Sequence, residues 1–249
     1  MLATEFIEKA KLAAECKSMY IKGGFGAPLT DSMKKRYIAQ YKYNADRATS
    51  INAASADTFA WDCVCLVKGI LWGWTADLSA VYGGAVYKSN NVPDVGTEAI
   101  LEYCDDLSTD FSSLTPGELV WQPGHVGIYI GDNLVIEATA AWEGGVLYSS
   151  LVPRVGYHTR STWQKHGKLR FVEYPKVTEV TLTLPVLKNG STGSAVKALQ
   201  TLLNGKMNFG MAIDGVFGPI TEEFLRAYQE VEDLEVDGKC GPATWASLF

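Results

Sequence analysis

Side chains able to act as nucleophile or base near neutral pH are few in this chain. There are five cysteines (16, 63, 65, 104 and 240) and three histidines (125, 158 and 166). Cys63 has the most suggestive setting, Trp61-Asp62-Cys63-Val64-Cys65-Leu66-Val67. The apolar run that continues to Trp74 predicts a buried helix over 61–74, with Asp62 as its cap and Cys63 in the first turn. A thiol there meets unpaired backbone N–H groups and the positive end of the helix dipole. Both favour the thiolate, the form that attacks carbonyl carbon. The plain alternative is a pair of ordinary buried cysteines, because free Cys is among the most buried residue types. Cys65 is the alternative nucleophile: residues two apart at a helix start point in different directions, so only one can face a given base.

His125 opens an apolar run, His125-Val126-Gly127-Ile128-Tyr129-Ile130, which is followed by Gly131-Asp132-Asn133 and by Leu134-Val135-Ile136-Glu137-Ala138. This reads as a β-hairpin. A three-residue loop at Gly131-Asp132-Asn133 sets Glu137 opposite Gly127. His125 is then one diagonal step away on the same face, and Gly127 leaves room for the imidazole. A carboxylate beside a histidine holds its tautomer and stabilises the imidazolium, as the third member of a catalytic triad does. A two-residue loop would flip the parity, and a solvated strand carboxylate is the plain reading of Glu137. His158 and His166 lie in a polar stretch before the last strand.

The elements that must hold these residues follow from periodicity. Residues 4–20 carry apolar positions at helical spacing, Asp31 caps a second helix over 31–43, and 44–55 reads as a polar loop. A short helix is expected at 97–103. From Thr115 the period becomes that of strands, with the hairpin above and further strands at 145–148 and 168–173. Helices followed by an antiparallel meander make an α+β domain over 1–174. A proline-bounded linker occupies 175–184. In the remaining domain, 185–249, Asp214-Gly215-Val216-Phe217-Gly218-Pro219-Ile220-Thr221 returns as Asp237-Gly238-Lys239-Cys240-Gly241-Pro242-Ala243-Thr244. Each copy is a glycine turn, a proline at a helix start and a threonine in the first turn, which predicts a small all-α, three-helix module.

Composition removes several function classes. A net charge of −6 carries no nucleic-acid footprint, and no stretch has the length for membrane insertion. An odd set of cysteines without framework spacing points to a reducing compartment. The N-terminus has neither the basic region nor the apolar run of a signal peptide. No cofactor motif and no metal-site spacing is present; a zinc amidase built on His125, His158 and His166 has no supporting pattern.

Two stretches resemble known families. "WDCVCLV" with "PGHVGIYIGDNLVIEA" is similar to the NlpC-type cell-wall cysteine peptidases, over roughly 18–174. The resemblance implies a papain-like catalytic domain, helices packed on an antiparallel sheet, with Cys63 as nucleophile, His125 as general base and Glu137 in the place of the third polar residue. Val64 and Cys65 stand where the family has Ser and a small residue, and Glu137 where it more often has His. "YIKGGFG" resembles the family's Tyr-x-x-Gly-Gly element and implies a substrate-side role for Tyr20. Residues 184–249 resemble the three-helix peptidoglycan-binding module. A wall-binding module after a cysteine hydrolase resembles phage endolysins, which stay in the host cytoplasm until the membrane is breached and then act on the cell wall. Together these imply a peptidoglycan hydrolase needing no cofactor. It would cut after D-γ-glutamate and before the diamino acid, or at the amide between muramic acid and L-alanine. A non-catalytic wall binder is the remaining alternative.

Overall fold

The computed structural model describes residues 1–142, 144–175 and 184–249, so the segment read as a linker falls almost wholly outside the described residues. The chain divides into two units, Met1–Lys176 and Val177–Phe249, taken here one at a time. The N-terminal unit begins with α1 (Ala3–Glu15), β1 (Ser18–Tyr20), β2 (Phe25–Pro28), α2 (Asp31–Gln40), α3 (Lys42–Ala45), α4 (Ala48–Ala53), β3 (Phe59–Trp61) and α5 (Cys63–Leu71). After 3-10 turns at Ser89–Asn91 and Ala99–Tyr103 come β4 (Cys104–Ser108), β5 (Leu119–Gln122), β6 (His125–Gly131), β7 (Leu134–Thr139), β8 (Gly145–Ser150), β9 (His158–Thr159) and β10 (Lys165–Leu169).

The architecture is α+β. β1, β3 and β2 form a small sheet in that order, and seven strands form a large one, β4-β10-β5-β6-β7-β8-β9. The large sheet is antiparallel except for β8 against β9. Every residue of α5 is buried. Leu66, Val67 and Ile70 of this helix share a core with Phe6 and Ala10 of α1 and with Val126, Ile128, Ile136 and Ala138 of the sheet. Each such side chain contributes about 1.5–3 kcal/mol through its burial. Val120, Tyr129, Val135 and Trp163 form a separate cluster.

Several boundaries differ from the expectation, each for a tertiary reason. The first helix stops at Glu15, and Ser18–Tyr20 is a strand. β1 pairs in parallel with β3, Tyr20 against Trp61, and this pairing overrides the local helical period. The same pairing makes Phe59–Trp61 a strand, so α5 starts at Cys63. Residues 44–55, read as a loop, hold α3 and most of α4; Ile51 and Asn44 are their buried anchors. Asn44 Nδ2 donates to Lys22 O and Tyr37 O at 3.0 Å each, a polar anchor with no periodic signature. Thr30, not Asp31, caps α2. The expected strand at 168–173 is β10, shifted to Lys165–Leu169.

The C-terminal unit is helical, with α6 (Ser194–Met207), α7 (Pro219–Val231) and α8 (Pro242–Leu248) around Val196, Leu199, Leu203, Phe217, Leu225, Tyr228 and Trp245. Its repeated turns are wired alike. Gln200 Nε2 donates to Asp214 Oδ1 (2.8 Å) and Thr221 Oγ1 (3.2 Å), and its Oε1 accepts from Gly215 N (2.9 Å). Gln229 makes the same three bonds to Asp237 (3.0 Å), Thr244 (3.2 Å) and Gly238 (2.9 Å). Both glutamines are buried, so truncation strands several polar groups at once. Gln200→Ala or Gln229→Ala in the full chain is expected to destabilise the C-terminal unit by about 2–3 kcal/mol. Urea unfolding followed by Trp245 fluorescence in a variant series checks this; a cost below about 0.5 kcal/mol would contradict the role assigned to the glutamines.

Candidate active site

α5 presents Cys63 at its first position because Asp62 ends β3 and caps the helix. Asp62 Oδ1 accepts from Cys65 N and Oδ2 from Gly23 N, both at 2.7 Å. The carboxylate therefore fixes the helix start and also pins the β1–β2 turn. Parallel pairing of β1 with β3 brings Tyr20 beside Cys63 across more than forty positions of sequence, and the Tyr20 hydroxyl interacts with the sulfur.

The hairpin turn is not the three-residue loop expected. Asp132 and Asn133 form a two-residue turn, both with positive φ (51° and 59°), as a type I′ turn requires. A bulge between Tyr129 and Gly131 inserts one residue and restores the parity, giving Tyr129↔Val135 and Ile128↔Ile136. Glu137 consequently shares a face with His125, and His125 Nε2 lies 2.6 Å from Glu137 Oε2. The space over Gly127 is occupied differently from the expectation. A Cβ there would meet Val135 and Trp163 at 2.5 and 3.3 Å, so the glycine admits Trp163, on which the imidazole stacks (centroids 5.4 Å, 14°).

Cys63, His125 and Tyr20 line one cleft of about 510 Å3 with Asp62, Thr139 and Gly124. The thiol donates to Gly124 O at 3.9 Å rather than to the imidazole. Burial first, and then the Asp62 charge, push the Cys63 thiol up to about 11, against the weaker pull of the Val64 and Val126 N–H groups and the Tyr20 hydroxyl. This corrects the expectation that the helix start favours the thiolate: the residue that caps the helix places a carboxylate at the same end. Cys65 is also held protonated, by burial and Asp62, and it lines a different cavity.

Three residues around Glu137 escaped the sequence reading. Glu137 is completely buried and accepts from Ser149 Oγ (2.5 Å) and Arg160 Nε (3.0 Å) as well as facing His125. Burial alone would raise its pKa, but His125, Arg160 and Ser149 outweigh this and hold the carboxyl below its ordinary value. Ser149 lies two residues beyond Leu147, the cross-strand partner of Glu137, so alternation on β8 carried a signal for it. Arg160 follows the short parallel pairing of β9 with β8, for which the sequence has no mark. Trp163, likewise unmarked, carries the imidazole. An ionised Glu137 only accepts, so Nε2 of a neutral His125 carries the proton and Nδ1 keeps the lone pair.

The other two histidines are placed elsewhere. His166 Nδ1 pairs with Glu118 Oε2 (2.5 Å) and its Nε2 with Asp110 O (2.9 Å), while His158 stacks on Trp142 at 4.5 Å. Among the described residues no group of three or more His, Cys, Asp or Glu side chains is gathered so as to hold a metal ion.

Glu137→Ala leaves Arg160 and His125 facing an empty buried site, and is expected to cost about 3–5 kcal/mol at pH 7. Because the folded-state pKa is depressed, this stability is fully present above the unfolded value of 4.5 and is lost as pH falls through the lower folded value. The gap between wild type and variant should therefore narrow in acid, below the ordinary carboxylate range; denaturant titrations from pH 7 downwards check the sign.

Comparison with known proteins places one part of the chain. Residues 192–248 match the family described as "Putative peptidoglycan binding domain". A stretch of 65 residues, 26% of this chain, is 43% identical to an uncharacterized protein in the bpoA1 3′ region of Kitasatospora aureofaciens, covering 55% of that relative. A stretch of 65 residues is 40% identical to the zinc D-Ala-D-Ala carboxypeptidase of Streptomyces albus G, covering 26% of it. Among solved structures, the Burkholderia AP3 phage endolysin is similar at 33% identity over 26% of this chain and 24% of that one, with a TM-score of 0.25. The chain thus spans about half the length of one curated relative and about a quarter of the other, and its C-terminal helical unit carries the peptidoglycan-binding family match.

Proposed function

We propose that the chain is a peptidoglycan hydrolase of the cysteine class, an endolysin-like enzyme whose C-terminal unit docks on the cell wall. The observation that carries this reading is the cleft shared by Cys63 and His125, with His125 oriented by a buried, ionised Glu137. The match of 192–248 to a peptidoglycan-binding family supports the substrate.

In the resting state the thiol is protonated. On substrate binding the Cys63 proton passes to His125 Nδ1, the ring nitrogen not engaged by Glu137. The thiolate attacks the stem-peptide carbonyl carbon. The backbone N–H of Cys63, at the helix start, is placed to stabilise the oxyanion. Collapse breaks the C–N bond, His125 returns the proton to the departing amine, and a thioester remains. Water, giving its proton to His125, then hydrolyses it. Glu137 stabilises the imidazolium in both halves, and Tyr20 borders the attacking sulfur on the substrate side. The elevated thiol pKa makes this a concerted use of base and nucleophile rather than attack by a preformed thiolate.

The bond assigned is that between D-γ-glutamate and the diamino acid. Its competitor within the same chemistry is the amide between muramic acid and L-alanine. A zinc-dependent reaction is the second reading, favoured by the similarity to a zinc carboxypeptidase.

Cys63→Ala is expected to lower the clearing of purified walls at least about a thousandfold, since a unit of nucleophile and base fails as a whole. Cys65→Ala should stay within a few-fold of wild type. A thiol alkylator should abolish activity and a chelator should leave it unchanged; the reverse pair of results would establish the zinc reading. Mass spectrometry of fragments from a defined peptidoglycan reports the bond: new L-alanyl-D-glutamate termini support the assignment, and free muramic lactyl carboxylates favour the amidase. Equal clearing by wild type and Cys63→Ala would overturn the cysteine mechanism.

A further inference from the structure

α5 turns its two neighbouring cysteines to two different spaces. Cys63 opens into the cleft above, whereas Cys65 lines a second cavity of about 460 Å3. Asp62, Val64 and Gly96 line both cavities, so the two share a wall. Nothing in the mechanism uses the second one.

Its polar groups are unevenly satisfied. The acceptors are already taken: Asp62 receives two backbone N–H groups, and Asp94 receives Lys68 Nζ and the Tyr87 hydroxyl. The donors are in surplus. The Tyr37 hydroxyl is sealed from solvent and bonded to no partner, at a cost of about 1–3 kcal/mol. Its strongest electrostatic neighbours are Cys65, Arg36, Tyr82 and Asp62, all in the same lining. Arg36 pairs with no carboxylate among the described residues; its guanidinium donates to the Tyr82 hydroxyl at 2.6 Å and lies over that ring at 5.7 Å. Lys68 is buried, with two of its three N–H groups committed, to Asp94 and to Val95 O. Opposite these donors stands an aromatic wall, Phe25 stacked on Tyr82 (4.3 Å, 27°) and edge-on to Trp72 (5.3 Å, 90°).

A guanidinium without an anion, an orphaned hydroxyl donor and a spare ammonium N–H all call for one acceptor. Apolar rings alongside call for a hydrocarbon body. We propose that this second cavity binds the carboxylate end of a small aliphatic acid. Arg36 takes the carboxylate in two-pronged fashion, Tyr37 supplies the donor left unpaired in the empty cavity, and the Phe25–Trp72–Tyr82 wall covers the body of the ligand. Because the cavity adjoins the cleft through Val64, a carboxylate-bearing arm of the same stem peptide fits it. That choice of source rests on the hydrolase reading; the carboxylate preference does not.

The test is isothermal titration calorimetry on the full chain carrying Cys63→Ala, so that binding is read without cleavage. The probes are the tripeptide L-Ala-γ-D-Glu-L-Lys as free acid, the same peptide with both carboxyls amidated, and free D-alanine. The free acid is expected to bind about tenfold more tightly than the amide, one charge-assisted pair being of that size. Arg36→Gln should bring acid and amide to within about twofold. Tyr37→Phe should weaken the acid several-fold with no loss of thermal stability, since the hydroxyl has no partner in the empty cavity. D-alanine binding as tightly as the tripeptide would assign the site to a free amino acid; tighter tripeptide binding assigns it to the stem. Equal affinity for acid and amide, or a preference that survives Arg36→Gln, overturns the proposal. Acid preference in a chain that cuts no wall would remove the hydrolase reading alone, and wall cleavage without acid preference would remove the cavity assignment alone.

Discussion

The carboxylate of Asp62 is the contact on which the N-terminal unit turns. One oxygen caps α5 and the other holds Gly23, so helix start, β1–β2 turn and the end of β3 are fixed by one buried group. Its burial raises its own pKa, countered by those same N–H bonds. The charge it keeps is felt by both cysteines on either side of Val64, and it keeps both thiols protonated. A helix dipole contributes only about half a unit of positive charge at this end. A full carboxylate within the same turn, together with desolvation, is the larger effect, and the direction of the thiol shift follows from that ordering.

Glu137 shows the opposite balance. It is as deeply buried as Asp62, yet its carboxyl lies below its ordinary value because Arg160 and His125 bring positive charge and Ser149 a hydroxyl. Asp62 has only neutral N–H donors in contact. Two buried carboxylates thus shift in opposite directions according to whether a cation accompanies them. In the proposed chemistry that difference is useful: the first holds the thiol in reserve as an acid, and the second waits as an anion for the imidazolium.

The C-terminal unit rests on a local device used twice. A buried glutamine reads the turn aspartate, the turn glycine N–H and the helix threonine, and the second copy repeats the arrangement bond for bond. The two turns are built from contiguous residues, so their spacing is preserved in the chain itself. The partner glutamines lie on the preceding helices, 14 and 8 positions before their aspartates, close enough for the helix and turn to meet without a long-range rearrangement.

What the residues alone determined was whatever depends on near neighbours. The hairpin, the duplicated turns, the buried helix after Asp62 and the α+β order all arise from periods of two or 3.6 and from turn chemistry. The sharing of a face by His125 and Glu137 belongs here too, although it was reached through the wrong loop, the bulge having compensated the shorter turn. Tertiary structure decided the rest. The strand at Ser18–Tyr20 exists because β3 lies beside it, Arg160 reaches Glu137 because β9 pairs with β8, and Trp163 sits over Gly127. The proton on Cys63 was likewise beyond reading, since it depends on how much water the fold removes and on which charges stay close by. Pairing and desolvation are sums over groups distant in sequence, and no local pattern encodes them.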